Sequence, residues 1–311
     1  MLFGGDVHGH GGFPFASTRA PVFRLRRGGG RPPGPDRNPP QPAATGRNAA
    51  ALCPGLRVRC GEPGGPARPP LEGRVRRHQS GGWWTASLMN HSPDGDPHNV
   101  VIGDGQPRPT TLLDRMPVTK DFLTGLGLDF MYVRLARLEP HSYLWEHRDY
   151  AELHERGRHR LHIPLVANPS AVLVTAGARV HMATGSLWRL TPSRAHGVRN
   201  VTGPDRLHLI ADVYTDDAYR ELAARPHLRA GDAAQLPVMT AADHGRLMER
   251  ASQLASLGFV SSAEQVLLRA YYAYALQEGG AYDLITELHA NRGADTDAAR
   301  WAQAKTHLLA A

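Results

Sequence analysis

The stretch Phe130-Met-Tyr-Val-Arg-Leu-Ala-Arg-Leu138 alternates two sets of side chains along nine consecutive positions. Arg134 belongs to the even-numbered set and Arg137 to the odd-numbered set. Successive side chains of a β-strand point to opposite faces, so the pattern predicts a strand that carries these two arginines on opposite sides.

Short apolar runs of the same kind follow this stretch, and turn sequences such as Asn168-Pro-Ser170 and Thr202-Gly-Pro-Asp205 separate them. The runs are His162–Val166, Ala171–Thr175, Arg179–Met182, Ser186–Leu190 and Leu207–Val213. Several short strands at this spacing are typical of an all-β sandwich or barrel. We therefore predict a mainly β core, a jelly roll of about eight strands in two sheets, as in the cupins.

The apolar period becomes helical after Tyr214. Thr240-Ala-Ala-Asp243 resembles a capping box, and apolar residues follow at intervals of three and four. Residues 281–292 and 296–310 predict two more helices, and Thr119–Leu126 predicts a short one ahead of the β core. We predict three parts: a tail at 1–78, the β core at 79–215 and an α-helical C-terminal domain at 216–311.

The positive charge of the chain is concentrated in the tail. The 311 residues carry a formal net charge of +7, with a sequence pI of about 9.8. Residues 1–80 hold 13 Arg and 4 acidic residues, whereas the remainder holds 23 basic and 25 acidic residues. The folded part is thus close to neutral and shows no basic face with interleaved aromatic residues, so we expect no nucleic-acid partner.

The tail is rich in Pro, Gly and Arg, a composition that buries too little apolar surface to fold, so we expect it to be disordered or to lie upstream of the true start. Cys53 and Cys60 match no zinc or disulfide framework. We find no apolar run typical of a secretory signal or a membrane span. These features predict a cytoplasmic protein without a membrane partner.

Two segments carry a candidate metal site: Trp145-Glu-His-Arg-Asp-Tyr150 and Ala195-His-Gly-Val-Arg-Asn-Val-Thr-Gly-Pro-Asp-Arg206. His147 and Asp149 are two residues apart, so on an extended segment they face the same side, and a second strand would bring His196 to them. Two imidazoles and one carboxylate form the facial triad of non-haem Fe(II), which leaves open positions for O₂ and a co-substrate. The alternative is a surface His-x-Asp pair, since the chain has 17 His.

The chain resembles the aspartyl/asparaginyl β-hydroxylase group of Fe(II)/2-oxoglutarate dioxygenases, and within it most resembles the bacterial L-proline 3-hydroxylases. The motifs that carry the resemblance are His147-Arg-Asp-Tyr150, His181-Met-Ala-Thr-Gly-Ser-Leu-Trp188 and His196…Asn200…Arg206. A Gly82-Trp-Trp segment and the helical stretch after Pro237 extend the likeness to about residues 80–290.

The resemblance implies that the β core is a double-stranded β-helix. It also implies catalytic roles for His147, Asp149 and His196 as the iron ligands. It implies that Arg206 binds the C5 carboxylate of 2-oxoglutarate, for which its planar, bidentate guanidinium is suited. It also implies that Arg160 and His162 face the co-substrate or the substrate carboxylate.

For the substrate carboxylate we name Arg160 and Arg137, with Arg134 as a further candidate, and we expect either Arg134 or Arg137 to face solvent. Leu135 stands where proline 3-hydroxylases would have a further Arg, which argues against proline itself as the substrate.

The predicted function is Fe(II)/2-oxoglutarate-dependent hydroxylation of a free amino acid or small derivative, giving the hydroxylated product, succinate and CO₂. One alternative is hydroxylation of a peptidyl or carrier-bound residue. Another is a non-catalytic, cupin-like protein that binds a metal or ligand. The predicted partner is a small-molecule amino acid, and the helical region could form a homodimer.

Overall fold

The computed structural model describes residues 15–19, 79–103, 105–149, 157–224 and 233–310. Predictions on other residues, including both cysteines and most of the tail, lie outside this part of the chain. The strands are β1 (Phe15–Arg19), β2 (Trp83–Asn90), β3 (Arg108–Pro109), β4 (Phe130–Leu138), β5 (Ser142–His147), β6 (Arg158–Val166), β7 (Ala171–Thr175), β8 (Ala178–Val180), β9 (Ser186–Leu190), β10 (His196–Asn200), β11 (Arg206–Tyr214) and β12 (Ala233–Gln235).

The helices flank this run of strands. They are α1 (Thr111–Asp114), α2 (Pro117–Leu126), α3 (Asp217–Ala223), α4 (Ala241–Ser256), α5 (Val260–Leu268), α6 (Gly280–Asn291) and α7 (Asp295–Leu309), with a 3-10 turn at Arg269–Tyr272. In the described ranges, no helix combines the length and apolar composition that crossing a membrane requires.

The strands form two antiparallel sheets. The larger has the order β1-β9-β6-β11-β4-β2-β3, and the smaller has the order β12-β8-β7-β10-β5. Several neighbours in each sheet are far apart in sequence, as in β11 between β4 and β6. This arrangement confirms the predicted jelly-roll core.

Each sheet has an inner face, turned toward the other sheet, and an outer face. Leu138, Trp188 and Leu190 of the larger sheet pack against Leu144, Leu173 and Val198 of the smaller one and define the inner faces. On the outer face of the larger sheet, Leu135, Leu161 and Leu209 pack against α1 and α2. Both faces of β4 are therefore buried.

The C-terminal helices pack on the outer face of the smaller sheet. Tyr143, Trp145 and Val174 of that sheet share one apolar cluster with α4 to α7 and the 3-10 turn. Thr240 and Asp243 form the predicted capping box at the start of α4. The α-helical C-terminal region is thus confirmed.

Three observations correct the predicted organisation. Phe15–Arg19 lies in the tail expected to be disordered, yet it forms β1 and pairs with β9. β12 pairs with β8, and α3 contributes Tyr219 to the cluster beneath the larger sheet, so the β core continues beyond residue 215. β5 and β10 were absent from the apolar runs that predicted strands, because their sequences mix polar and apolar residues without a clear period; only the metal motif placed His147 on an extended segment and His196 on a strand.

Candidate active site

His147 and His196 lie directly opposite each other on the neighbouring strands β5 and β10. The register shifts between this pair and the next one, Leu144 with Val198, so the segment contains a β-bulge. A bulge changes the direction of a side chain without ending the strand. Here it accompanies two imidazoles whose ring centroids are 4.6 Å apart.

Close packing fixes β10 at this point. A Cβ added at Gly197 would lie 2.8 Å from the Tyr272 hydroxyl, 2.9 Å from the Tyr271 ring and 3.0 Å from the Leu144 carbonyl oxygen. Only glycine leaves room for the tyrosine pair beside His196. The C-terminal helical region therefore supports the strand that presents this histidine.

Asp149 completes a cluster of three side chains. One nitrogen of His147, one nitrogen of His196 and one carboxylate oxygen of Asp149 lie within 4.8 Å of one another. His196 Nε2 is 3.6 Å from Asp149 Oδ2. The structure thus brings together the three residues that the sequence suggested as metal ligands, and their role as ligands stays a prediction.

Backbone carbonyl groups determine which ring nitrogen of each histidine carries the proton. His147 Nδ1 lies 2.8 Å from the Trp145 carbonyl oxygen, and His196 Nδ1 lies 3.0 Å from that of Arg194. A carbonyl oxygen only accepts, so both Nδ1 atoms donate and Nε2 carries the lone pair in the neutral ring. Burial, followed by the neighbouring His196, lowers the pKa of His147 to about 4, so this ring is neutral at pH 7.

Asp149 is held by Arg160. Arg160 Nη1 donates to Asp149, while its Nε and Nη2 donate to the two oxygens of Asp212 at 2.7 and 2.8 Å. Burial raises the pKa of Asp149, but Arg160, the two histidines and Arg134 outweigh it and hold that pKa well below its usual range. The carboxylate is therefore ionised and oriented.

This donor set fits a divalent metal ion. Two imidazoles and one ionised carboxylate are the ligands of the 2-His-1-carboxylate triad, and the hydrogen bonds at Nδ1 leave Nε2 as the nitrogen with the lone pair in a neutral ring. Hydrogen bonds to the remaining ring nitrogens and to the carboxylate are the outer contacts that usually orient such ligands.

Arg206 lies on the inner face, opposite Leu138, and only 5% of it is exposed. Its Nη2 donates to His208 Nδ1 at 3.0 Å, and no carboxylate of the described residues lies within ion-pair distance. Burial lowers its pKa to about 9, so the side chain remains cationic at neutral pH. A buried guanidinium without an anionic partner is a suitable site for a ligand carboxylate.

His162 continues this chain of contacts. Its Nδ1 lies 3.4 Å from His208 Nδ1, which already accepts from Arg206, so His162 must donate there. His162 Nε2 is then an acceptor, and it is buried without a hydrogen-bond partner among the described residues. This histidine is positioned to contact a ligand on the inner face, as its sequence prediction supposed.

Arg137 lies on the outer face of β4, whereas the metal cluster lies on the inner side of the sheet. It shares the outer face with Leu135, and it pairs with Glu139 at 2.9 Å and with Asp205 at 2.7 Å. Two acidic residues therefore hold Arg137 on the outer face, and its predicted contact with substrate stays a prediction that this position does not favour.

Arg160, the other predicted substrate clamp, is on the inner face with 2% exposure. Its guanidinium is engaged by Asp149 and Asp212, which makes it a positioning residue for the metal cluster in this structure. Its predicted contact with co-substrate or substrate stays a prediction.

Sequence reasoning missed Asp212 and His208. Both interrupt the apolar run Leu207–Val213 and are fully buried. Charged or titratable groups in the middle of a buried strand are rare unless they are paired, so their position in such a run was an available signal.

Residues 67–216 match the family model described as aspartyl/asparaginyl beta-hydroxylase. The match covers just under half of the chain and includes all the predicted site residues. It confirms the resemblance to this group and does not extend to the L-proline 3-hydroxylases in particular. A comparison with curated proteins found no match.

Partial structural similarities accompany this match. An oxidoreductase of the 2OG-Fe(II) oxygenase family from Burkholderia pseudomallei is 16% identical over 42% of this chain and 66% of that chain, with a TM-score of 0.31. HygX from Streptomyces hygroscopicus, solved with nickel and 2-oxoglutarate bound, is 13% identical over 34% of this chain and 66% of that chain, with a TM-score of 0.27.

A cupin 2 conserved barrel domain protein from Salinispora arenicola CNS-205 is 20% identical over 30% of this chain and 71% of that chain, with a TM-score of 0.21. The present chain spans slightly less than two thirds of the length of each of the first two proteins. TM-scores this low support no conclusion about the activity of this chain.

Proposed function

We propose that this protein is an Fe(II)/2-oxoglutarate-dependent hydroxylase whose substrate is a free amino acid or a small derivative of one. The observation that carries the proposal is the His147–Asp149–His196 cluster, in which both Nδ1 atoms donate to backbone carbonyls so that Nε2 is the nitrogen with the lone pair. The family match at residues 67–216 supports the same reaction class.

The protein would contribute ligands, charge and orientation. His147 Nε2, His196 Nε2 and the Asp149 carboxylate would hold the iron, and Arg160 would keep that carboxylate in place through its own bond to Asp212. Arg206 would bind the C5 carboxylate of 2-oxoglutarate in a buried, water-poor setting, where a charge-assisted bidentate contact is strong.

When bound, iron and 2-oxoglutarate supply the oxidising chemistry: O₂ is consumed, 2-oxoglutarate gives succinate and CO₂, and one oxygen atom enters the substrate as a hydroxyl group. The residues of the inner face would place the substrate beside the metal cluster. Buried neutral imidazoles and apolar neighbours would limit the access of bulk water to this space.

The first experiment is a succinate assay with the full chain, Fe(II), ascorbate, 2-oxoglutarate and air. Proline, pipecolate, Asp, Asn, Arg, Lys and Leu are added one at a time, and His147→Ala is the control. Turnover that one amino acid stimulates, and that the variant loses, would establish the hydroxylase and its substrate class.

Two other outcomes separate the alternatives. Slow turnover without stimulation by any amino acid would favour hydroxylation of a peptidyl or carrier-bound residue. Absence of turnover in protein shown to contain iron would favour the non-catalytic, cupin-like alternative.

The proposed homodimer and cytoplasmic location depend on the sequence alone. Size-exclusion chromatography with light scattering measures the assembly directly, and a mass near 33.9 kDa would reject the dimer.

A further inference from the structure

The arginines of the larger sheet differ in their ion-pair partners. Arg137 has two acidic partners on the outer face, and Arg160 has two on the inner face. Arg206, also on the inner face, is the residue assigned above to 2-oxoglutarate. Among the other arginines of this sheet, Arg158 lies over the Tyr214 ring with its Cζ 5.4 Å from the ring centroid, and Arg189 donates to the Tyr219 hydroxyl at 3.3 Å. The proposed function so far gives Arg134 no ligand.

Arg134 lies on the inner face, close to the metal cluster. It shares a face of β4 with Leu138, and its cross-strand partners are Ser87 on β2 and Ile210 on β11. Ile210 is in turn paired with His162 on β6. Two residues along β4, the partner of Tyr132 is Asp212, which binds Arg160. Arg134 thus lies one cross-strand row away from Asp212 and Arg160, the ion pair that orients Asp149.

The guanidinium of Arg134 makes no ion pair with the described residues, although its charge helps to lower the pKa of Asp149. No carboxylate of the described residues lies within ion-pair distance, and its Nε is buried without a hydrogen-bond partner there. Its Cζ lies 5.6 Å from the centroid of the Tyr132 ring, which supports the cation but offers no acceptor. A buried donor left without a partner is unfavourable, so the site is suited to an incoming acceptor.

A second donor lies nearby. Tyr214 packs against the cluster formed by Met131 and Tyr132, and its hydroxyl is buried without a hydrogen-bond partner among the described residues. The Tyr132 hydroxyl, by contrast, is already hydrogen-bonded to Ser87 Oγ at 2.9 Å. Arg134 Nε and the Tyr214 hydroxyl are therefore two donors beside this cluster that no acceptor of the described residues satisfies.

We infer that Arg134 binds the free carboxylate of the substrate, with the Tyr214 hydroxyl as an additional donor. Arg206 and Arg134 then provide two separate anion sites on one face, the first for the co-substrate and the second for the molecule that is oxidised. This inference rests on the proposed function and deepens it.

The chemical consequence concerns the substrate class. A free amino acid presents a carboxylate, whereas a residue within a peptide or on a carrier has lost that charge to an amide or thioester bond. A planar guanidinium recognises the carboxylate through two parallel hydrogen bonds and has no comparable interaction with an amide. The assignment of Arg134 therefore favours free acids over tethered residues.

The test is isothermal titration calorimetry on the full chain loaded with Ni(II) and 2-oxoglutarate. The probes are the amino acids of the succinate assay and, for proline and leucine, the corresponding primary amides. The variants are Arg134→Gln, Arg134→Lys and Tyr214→Phe. Arg137→Gln is the matched control, since it removes an arginine from the opposite face of the same strand.

We expect at least one free acid to bind the wild-type protein more tightly than the amides do. Arg134→Gln should weaken that binding by about 10- to 100-fold, the usual range for a charged hydrogen bond. Arg134→Lys should restore part of the affinity, Tyr214→Phe should cause a smaller loss, and Arg137→Gln should bind normally. Thermal unfolding of each variant verifies that it is folded.

Three results would overturn the inference: equal binding of an acid by wild type and folded Arg134→Gln, amides that bind the wild type as tightly as their acids, or no binding of any acid. Titration of 2-oxoglutarate into the Ni(II)-loaded protein tests the proposed function separately. If it binds wild type and Arg134→Gln equally, that site is intact; if it fails to bind the wild type, the proposed function fails whatever Arg134 does.

Discussion

The larger sheet presents an apolar outer face to α1 and α2 and a charged inner face to the smaller sheet. On the outer face, Leu135, Leu161 and Leu209 are buried among other aliphatic side chains. On the inner face, Arg160, Asp212 and Arg206 are equally buried but surround the candidate metal cluster. One face thus stabilises the fold through apolar burial, while the other buries charged groups at a cost in stability, as the proposed ligand-binding function would require.

Strand β4 carries one arginine on each face, and the two arginines differ in their partners. Arg137 on the outer face is neutralised by Glu139 and Asp205, both nearby acids of the protein itself. Arg134 on the inner face has no such partner among the described residues. The presence or absence of an acidic partner therefore distinguishes a structural arginine from a candidate ligand-binding one. Residue type alone does not reveal this difference.

The largest expected effect is loss of the inner-face carboxylate. Asp149→Ala should reduce substrate-coupled succinate production by more than about 100-fold, because removal of a mere outer-shell contact already costs roughly 10- to 100-fold. Asp205→Ala, which removes an outer-face aspartate that pairs with an arginine, should retain activity. Unchanged turnover in Asp149→Ala would remove this residue from the ligand set.

Truncation on the outer face should affect stability instead. Leu135→Ala is expected to lower the free energy of unfolding by about 2–5 kcal/mol, because it leaves a cavity in a fully buried cluster. Denaturant titration measures this loss, and Leu135→Ile, which preserves volume, should lose less than about 1.5 kcal/mol. Weaker 2-oxoglutarate binding in folded Leu135→Ala would contradict the separation of the two faces.

Replacement of Arg206, a buried cation on the inner face, should weaken the binding of 2-oxoglutarate. Arg206→Gln is expected to weaken 2-oxoglutarate binding by about 10- to 100-fold, while metal binding stays normal. Calorimetry of the Ni(II)-loaded protein provides both affinities, with Arg137→Gln as the control. A normal 2-oxoglutarate affinity in Arg206→Gln would exclude the proposed contact with the C5 carboxylate.

The smallest expected effect is a pH dependence of stability from the outer face. His159 stacks on Tyr219 with ring centroids 3.9 Å apart, and burial, followed by the charge of Arg189, lowers its pKa to about 4. The unfolded chain therefore binds the proton first as the pH falls from 6.5 to 4, so the stability contributed by neutral His159 is lost across this window.

His159→Phe keeps the stacking but removes the titration. After allowance for partial exposure, it should make the loss of stability between pH 6.5 and 4 smaller by about 1 kcal/mol. Chemical unfolding at several pH values measures the difference between variant and wild type. Identical slopes for the two proteins would show that His159 titrates normally in the folded state.

Local sequence was sufficient for much of the fold. β4, β7 and β9 begin and end where their alternating or apolar runs do, and the Thr240–Asp243 capping box marks the start of α4. These features depend on near neighbours in the chain, through side-chain alternation and hydrogen bonds within one turn. The spacing of His147 and Asp149 likewise required only that the segment be extended.

Pairing between strands that are far apart in sequence decided which face of each strand is the inner one and which charged residues meet. Alternation places Arg134 and Arg137 on opposite faces of β4 but does not reveal which face is the inner one, since helices bury one side and the second sheet buries the other. Three features join residues that are far apart in sequence: the bulge beside His147, the ion pair of Arg160 with Asp212, and the pairing of Phe15–Arg19 with β9. Such contacts form only when the sheets assemble, so the sequence by itself determined the strands and the ligand types, and the tertiary structure decided which charges meet.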